Sequence, residues 1–319
     1  MLKIALEEHF DAPGMVAAGY DAADVARFPQ EAGTRIRSLL EDFDDTRIAT
    51  MDECNIGVMV LSQTAPGVQV EKDAAKAARL AREANDYLAQ RIARHPARYA
   101  GFAHLALQDP RGAADELERC VRELRFAGAL INHHTNGEYL DDDRFSPFWE
   151  RVVSLDVPIY LHPADPYDLP HVYRGCPGLS GPVWTWNCET SAHALRLVFA
   201  GTFDRFPGAK LILGHMGETI PFYLWRLDSR FALMNPNAER KPSQILREHL
   251  YVTTSGVCSN AALRCSIDEL GKDHVLFSTD YPYEDARVAA SWIEAAPLTG
   301  EERQDVCYEN ARRILKLSS

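Results

Sequence analysis

The chain has 319 residues, 46% of them apolar, and a formal charge of −12 from 34 basic and 46 acidic side chains. That length suits one large core, and an acidic balance without any Lys/Arg-rich run excludes nucleic acid and anionic membrane surfaces, because phosphate binding needs a basic footprint. No apolar run approaches the roughly 18 residues that span a bilayer, "MLKIAL" is cut at Glu7 too early for a signal peptide, and seven scattered cysteines form no CxxC pair, so the sequence reads as a cytoplasmic, reduced protein with a small-molecule ligand.

The first element predicted is a strand over 3–10, KIALEEHF, in which an apolar run gives way to two glutamates and a histidine. Further short apolar or β-branched runs follow: VMVLSQT at 58–64, YAGFAHLAL at 99–107, FAGALINHH at 126–134, VPIYLHP at 157–163, KLILGHMG at 210–217, LYVTTSG at 250–256 and VLFSTDYP at 275–282. Between them, 72–95 and 112–124 place apolar residues at three- and four-residue spacings with charges elsewhere, as helices laid over a sheet do. Strand and helix in alternation predict an α/β fold, a (β/α)8 TIM barrel forming a single domain over 1–319; a doubly wound open sheet shares the local pattern and is the alternative. Long insertions at 11–44 and 164–188 follow the first and fifth strands. Such βα segments lie on the C-terminal face of a barrel, so they are expected to roof a pocket there. The Pro-rich stretch 162–182 also carries aromatics and cysteine and is read as an ordered loop.

The titratable residues fall at matching places. Glu7 and His9 end the first strand, His162 the fifth, His215 the sixth and Asp280 the eighth. Residues i and i+2 of a strand share a face, so Glu7 and His9 project together while Glu8 points away. Barrel closure makes strands one and eight neighbours, which brings Asp280 beside Glu7 and His9. A divalent ion held by Glu7, His9, His162 and Asp280 has two nitrogens and two carboxylates, a set that suits Zn²⁺ or Mn²⁺. A single histidine at a strand end is more often structural, and His104 and His193 are placed in that class; the joint pattern favours the metal site. Cys188 and Cys258 read as small hydrophobes. In "GHMGE", Glu218 can orient His215 as a general acid/base pair or simply complement a helix N-terminus. Arg226 shares a helical stripe with 218 and 222, from which it reaches Glu218, an anionic substrate or a surface partner.

"ALEEHF", "LHP", "LILGHMGE", "YVTTSG" and "LFSTDYPYE", in this order, resemble the decarboxylase branch of the amidohydrolase superfamily, most closely the γ-resorcylate and 2,3-dihydroxybenzoate decarboxylases. The resemblance extends over nearly the whole chain, including "LSQTAPGVQ" at 61–69 and "ENARRILKL" at 309–317. It implies a metal-dependent, non-oxidative decarboxylase, a homodimer or homotetramer acting on a small aromatic carboxylate. By its motifs Glu7, His9, His162 and Asp280 match the metal ligands, His215 and Glu218 the catalytic dyad, and Arg226 an arginine associated with it. Hydrolases of the superfamily commonly carry His-x-His on strand one and often a carboxylated lysine on strand four; here the first strand reads Glu-x-His and the fourth reads "ALINHH", both departures toward the mononuclear decarboxylases. In the reaction so implied, an ortho hydroxyl activates the ring, Asp280 protonates C1, and loss of CO₂ restores aromaticity. The alternative is a metal-dependent hydrolase of a small cyclic ester, lactone or amide on the same fold.

Overall fold

The computed structural model describes residues 1–19 and 27–317. Eight parallel strands follow one another in chain order, each paired with the next: β1 (Lys3–Phe10), β2 (Ile56–Gln63), β3 (Tyr99–Ala103), β4 (Gly128–Asn132), β5 (Ile159–His162), β6 (Leu211–Leu213), β7 (Leu250–Thr253) and β8 (Val275–Leu276). Helices intervene between them, giving the (β/α)8 barrel. The circle is completed where β1 meets the chain beyond β8: the His9 amide donates to the Tyr281 carbonyl (2.7 Å) and the Glu7 amide to Ser278 Oγ (2.7 Å). Glu8 reinforces this seam. Its buried carboxylate accepts from Ser278 Oγ (3.0 Å), the Thr279 amide (2.9 Å), Thr279 Oγ1 (2.7 Å) and the Tyr281 amide (3.2 Å).

Alternation along the strands sorts side chains into two cores. Ile4, Leu6, Val60, Phe102, Leu130, Tyr160, Ile212 and Leu276 fill the barrel, and Ala311, Ile314 and Leu315 close its lower end. Their neighbours in sequence, such as Ala5, Met59, Leu61 and Ala129, face the surrounding helices. The helix Ala74–Arg94 shows why such segments form: Ala77, Leu80, Ala81, Ala84 and Leu88 make one buried stripe, and Asp73 caps the first turn by accepting from the Ala75 and Lys76 amides. Truncating Leu88 to Ala would cost roughly 2–5 kcal/mol.

One irregularity decides which residues reach the mouth. Ala5 pairs with Met59 and Glu8 with Leu61, so β1 carries one extra residue opposite β2, a β-bulge. The bulge restarts the alternation. Leu6 fills the barrel, yet Glu7 and His9 also turn inward, and Glu8 points out to the seam. The later strands are shorter than the sequence pattern predicts, because β6 stops at Leu213 and β8 at Leu276. His215 and Asp280 therefore stand beyond the paired strands, both with left-handed backbone (φ 51° and 69°) that cannot continue a ladder.

The two insertions meet over the C-terminal face. Arg27 donates from Nη1 to Ser180 Oγ (2.9 Å) and pairs with Asp165, joining the segment after β1 to the segment after β5. The second insertion is ordered into short 3₁₀ turns at His171–Tyr173, Pro177–Leu179 and Gly181–Val183 before the helix Thr185–Phe199. Residues 20–26 of the first insertion lie outside the described residues. Among the described residues no helix is long and apolar enough to cross a membrane.

Candidate metal centre and active site

Glu7, His9 and His162 converge at the top of the barrel. One ligand atom from each lies within 4.8 Å of the others, and all three residues are buried. Among the described residues, Glu7 Oε1 and His9 Nε2 are buried with no hydrogen-bond partner, although such atoms normally find one. His162 Nδ1 bonds the Pro163 carbonyl (2.9 Å), which fixes the proton there and leaves the Nε2 lone pair facing Glu7 Oε1 at 3.5 Å. Ser62 Oγ lies 3.3 Å from His9 Nδ1, on the side of that ring away from Asp280. Burial raises the Glu7 carboxyl above its usual 4.5 and holds His162 well below 6.5. Two imidazole rings and a buried carboxylate converging on one point are a donor set fitted to one divalent cation.

Asp280 joins this group and connects it to the open site. Its Oδ1 lies 3.4 Å from His9 Nε2, and its Oδ2 lies 3.8 Å from His215 Nε2. His215 Nδ1 bonds Glu218 Oε1 at 2.6 Å, so the two form a hydrogen-bonded dyad. Burial alone would raise Asp280, but the facing imidazoles of His215 and His9 outweigh it and hold the carboxyl below its ordinary range. For His215 burial works downward, and the carboxylates of Glu218, Glu7 and Asp280 together lift it well above 6.5. The proton of the pair therefore resides on the imidazole.

The dyad sits on an uncommon backbone. His215, Met216, Gly217, Glu218 and Thr219 all have positive φ, between 51° and 80°, and a regular helix begins only at Ile220. Four of the five carry side chains, for which the left-handed region costs roughly 1–2 kcal/mol each, a strain of the kind found at functional sites. This turn corrects the expectation of one helical stripe through 218, 222 and 226. Glu218 is folded inward to His215, while Phe222 and Arg226 face solvent on the helix Ile220–Met234. Among the described residues no ion pair joins Arg226 to Glu218.

A cavity of about 540 Å³ opens on these groups. His215, Glu218, Asp280, Glu284 and Asn187 are among its polar lining, and Pro163, Trp184, Trp186, Phe222 and Val257 are among its apolar lining. Trp186 stands edge-on to His162, with ring centroids 6.1 Å apart. The dimensions and chemistry suit a flat aromatic acid lying on apolar walls with its polar edge toward Asp280. His104 and His193, read as structural, are buried away from this centre: their Nε2 atoms accept from the Val68 and Leu140 amides at 3.0 and 2.9 Å.

Sequence reasoning passed over Tyr160 and Ser255, whose hydroxyls both donate to Glu7 Oε2. A signal existed for Tyr160, which precedes His162 by two on β5 and so shares its face. Nothing comparable marked Ser255, which reaches Glu7 from the turn after β7.

A family profile described as "Amidohydrolase" matches residues 11–317. The chain is 43% identical to the gamma-resorcylate decarboxylase of Polaromonas sp. (strain JS666) over 330 aligned positions, covering 99% of both chains. It superposes on a crystal structure of 2,6-dihydroxybenzoate decarboxylase complexed with 2,6-dihydroxybenzoate at a TM-score of 0.93, with 41% identity over 99% of this chain and 100% of the other. A dihydroxybenzoic acid decarboxylase from Polaromonas sp. JS666, solved with bound manganese and the inhibitor 2-nitroresorcinol, also gives a TM-score of 0.93, at 43% identity over 99% and 97% of the two chains.

Proposed function

The chain belongs to the amidohydrolase family and is a metal-dependent decarboxylase of hydroxybenzoates, and we propose that it requires a hydroxyl ortho to the carboxylate and protonates ring carbon C1 before CO₂ leaves. The observation that carries this reading is the buried Glu7–His9–His162 cluster, joined through Asp280 to the protonated His215–Glu218 pair at one cavity. Glu7, His9, His162 and Asp280 are the residues proposed to hold the ion. The manganese of the Polaromonas relative supports Mn²⁺ over Zn²⁺. When bound, the ion supplies a positive centre that holds the phenolate and carboxylate oxygens of the substrate together.

The remaining chemistry belongs to the side chains. The phenolic proton is released to solvent as the substrate binds and the resulting phenolate pushes electron density to C1, while His215, already protonated and paired with Glu218, holds the proton that C1 receives. Asp280, with one oxygen on each side of the junction, passes the proton from His215 Nε2 to C1. That step breaks aromaticity; cleavage of the bond from C1 to the carboxylate returns its electron pair to the ring as CO₂ departs, leaving the phenolate. Apolar walls exclude water from the intermediate and keep the ring plane fixed over Asp280.

Arg226 is proposed to meet the substrate carboxylate from a second copy of the chain. It lies on an exposed face beside Phe222 (82% exposed) and Trp225 (76% exposed), an apolar surface of the kind that marks association sites. This supports a homodimer or homotetramer, which light scattering on wild type and Trp225→Glu would test. The function itself is tested by supplying Mn²⁺-loaded protein with ortho-hydroxylated benzoates in D₂O. One deuterium is expected at the carbon that lost CO₂, and 4-hydroxybenzoate is expected to be inert. Comparable turnover of 4-hydroxybenzoate would overturn the ortho requirement, and hydrolysis of a lactone or amide without CO₂ release would instead favour the hydrolase.

A further inference from the structure

We propose that Tyr160 and Ser255 are positioning residues that clamp Glu7 as a one-oxygen ligand and thereby set how tightly the divalent ion is held. The proposal rests on the metal site described above. Its basis is an uneven division of work between two oxygens of one fully buried carboxylate. Glu7 Oε2 accepts from both Tyr160 Oη and Ser255 Oγ, whereas Oε1 has no hydrogen-bond partner among the described residues and faces His162 Nε2. A carboxylate has about four lone-pair directions, and a buried one left half empty is costly unless a cation completes it. Two donors on Oε2 occupy that oxygen and present Oε1 alone.

The clamp is rigid for identifiable reasons. Tyr160 is fully buried inside the barrel, with its ring packed beside Phe102 at a centroid distance of 6.1 Å. Thr253 Oγ1 lies 2.9 Å from Tyr160 Oη and 3.1 Å from Ser255 Oγ, so it packs against both clamping hydroxyls and can give its one proton to either. Space for the arrangement comes from Gly214, where a Cβ would sit 2.5 Å from Glu7 Oε2 and 3.0 Å from Ser255 Oγ. Any side chain at 214 would push the carboxylate off its donors. β5 therefore contributes twice to the same centre, with His162 facing the ion and Tyr160, two residues earlier, holding the ligand that comes from β1.

Without the clamp Glu7 can rotate about its terminal torsion or offer both oxygens, so the geometry is no longer set before the ion arrives. Outer partners of metal ligands typically change affinity by about 10–100-fold. The test is titration of chelator-stripped protein with Mn²⁺, reading the free ion by electron paramagnetic resonance, for wild type, Tyr160→Phe, Ser255→Ala and the double variant. Each single variant should raise Kd by about 10-fold and the double variant by about 100-fold. Tyr160→Phe should have no further effect in a Glu7→Ala background, because its action runs through Glu7. A double variant within twofold of wild type, or an equal loss with and without Glu7, overturns the clamp. Should Tyr160→Phe fail to fold, Ser255→Ala alone decides the matter by the same criteria. His162→Ala separates the two levels: if it binds Mn²⁺ as wild type does, the metal site itself is wrong; if it loses Mn²⁺ while the double variant keeps it, only the clamp is wrong.

Discussion

His104 provides a quantitative test of how this barrel responds to acid. Its ring is buried, with Nε2 accepting from the Val68 amide at 3.0 Å, and burial brings its pKa from 6.5 down to about 3. The folded state thus refuses a proton that the unfolded chain accepts. A depressed folded pKa gives stability that is present above 6.5 and lost as pH falls below it, at about 1.4 kcal/mol per pH unit for one proton. Between pH 6.5 and 5 this amounts to about 2 kcal/mol from His104 alone, against a total stability of roughly 5–15 kcal/mol. His104→Gln keeps an acceptor near the Val68 amide and cannot be protonated. Urea melts of metal-free protein at pH 7, 6 and 5 should show that the variant, whatever its stability at pH 7, loses about 0.7 kcal/mol less than wild type between pH 7 and 6 and about 1.2 kcal/mol less between pH 6 and 5. Parallel pH dependences for the two proteins would mean that His104 is protonated in the fold or already shielded in the unfolded chain, and would refute the argument.

Glu8→Ala should lower stability by about 2–6 kcal/mol, because the buried Thr279 and Tyr281 amides lose their acceptor at roughly 1–3 kcal/mol each; an unchanged denaturant midpoint would show that the seam does not depend on Glu8. His162→Ala should lose bound metal by elemental analysis and show no manganese-dependent rise in Tm, since binding only the folded state is what raises it. Asp280→Asn keeps the size and one oxygen donor but has no acidic proton, so it should retain metal while turnover falls by at least 100-fold; near-normal decarboxylation would pass the acid role to His215.

What could be read from the sequence was whatever depends on periodicity. Eight strands, the surface helices and the shared face of Glu7 and His9 follow from spacings of two and of three to four residues, and the structure reproduces them with β1 at 3–10. Strand length was less accessible, since "VLFSTDYP" remains strand-like in composition although only Val275 and Leu276 pair with β7. The β1 bulge could not be read at all. Strict alternation from Ile4 and Leu6 would carry Glu8 into the barrel and Glu7 out of it; nothing in "IALEEHF" marks the extra residue, because a bulge is set by how two strands meet and not by one of them.

The same reasoning explains why the expected stripe through 218, 222 and 226 does not form and Arg226 does not lie over Glu218 within its own chain. Three residues separate His215 from Glu218 and eight separate Glu218 from Arg226, distances that a single right-handed helix would turn into one stripe. The chain instead makes a left-handed turn from His215 to Thr219, and Gly217 at φ 80° adopts the only part of it that carries no side-chain penalty. Once the hand changes, spacing no longer maps onto faces: Glu218 swings under His215, and the helix that follows presents Phe222 and Arg226 to solvent. Ending a strand and building the site are thus one event in this barrel. At β6 and again beyond β8 the backbone leaves the extended region just where its next side chain is needed over the mouth, so His215 and Asp280 are aimed across the cavity instead of along the ladder.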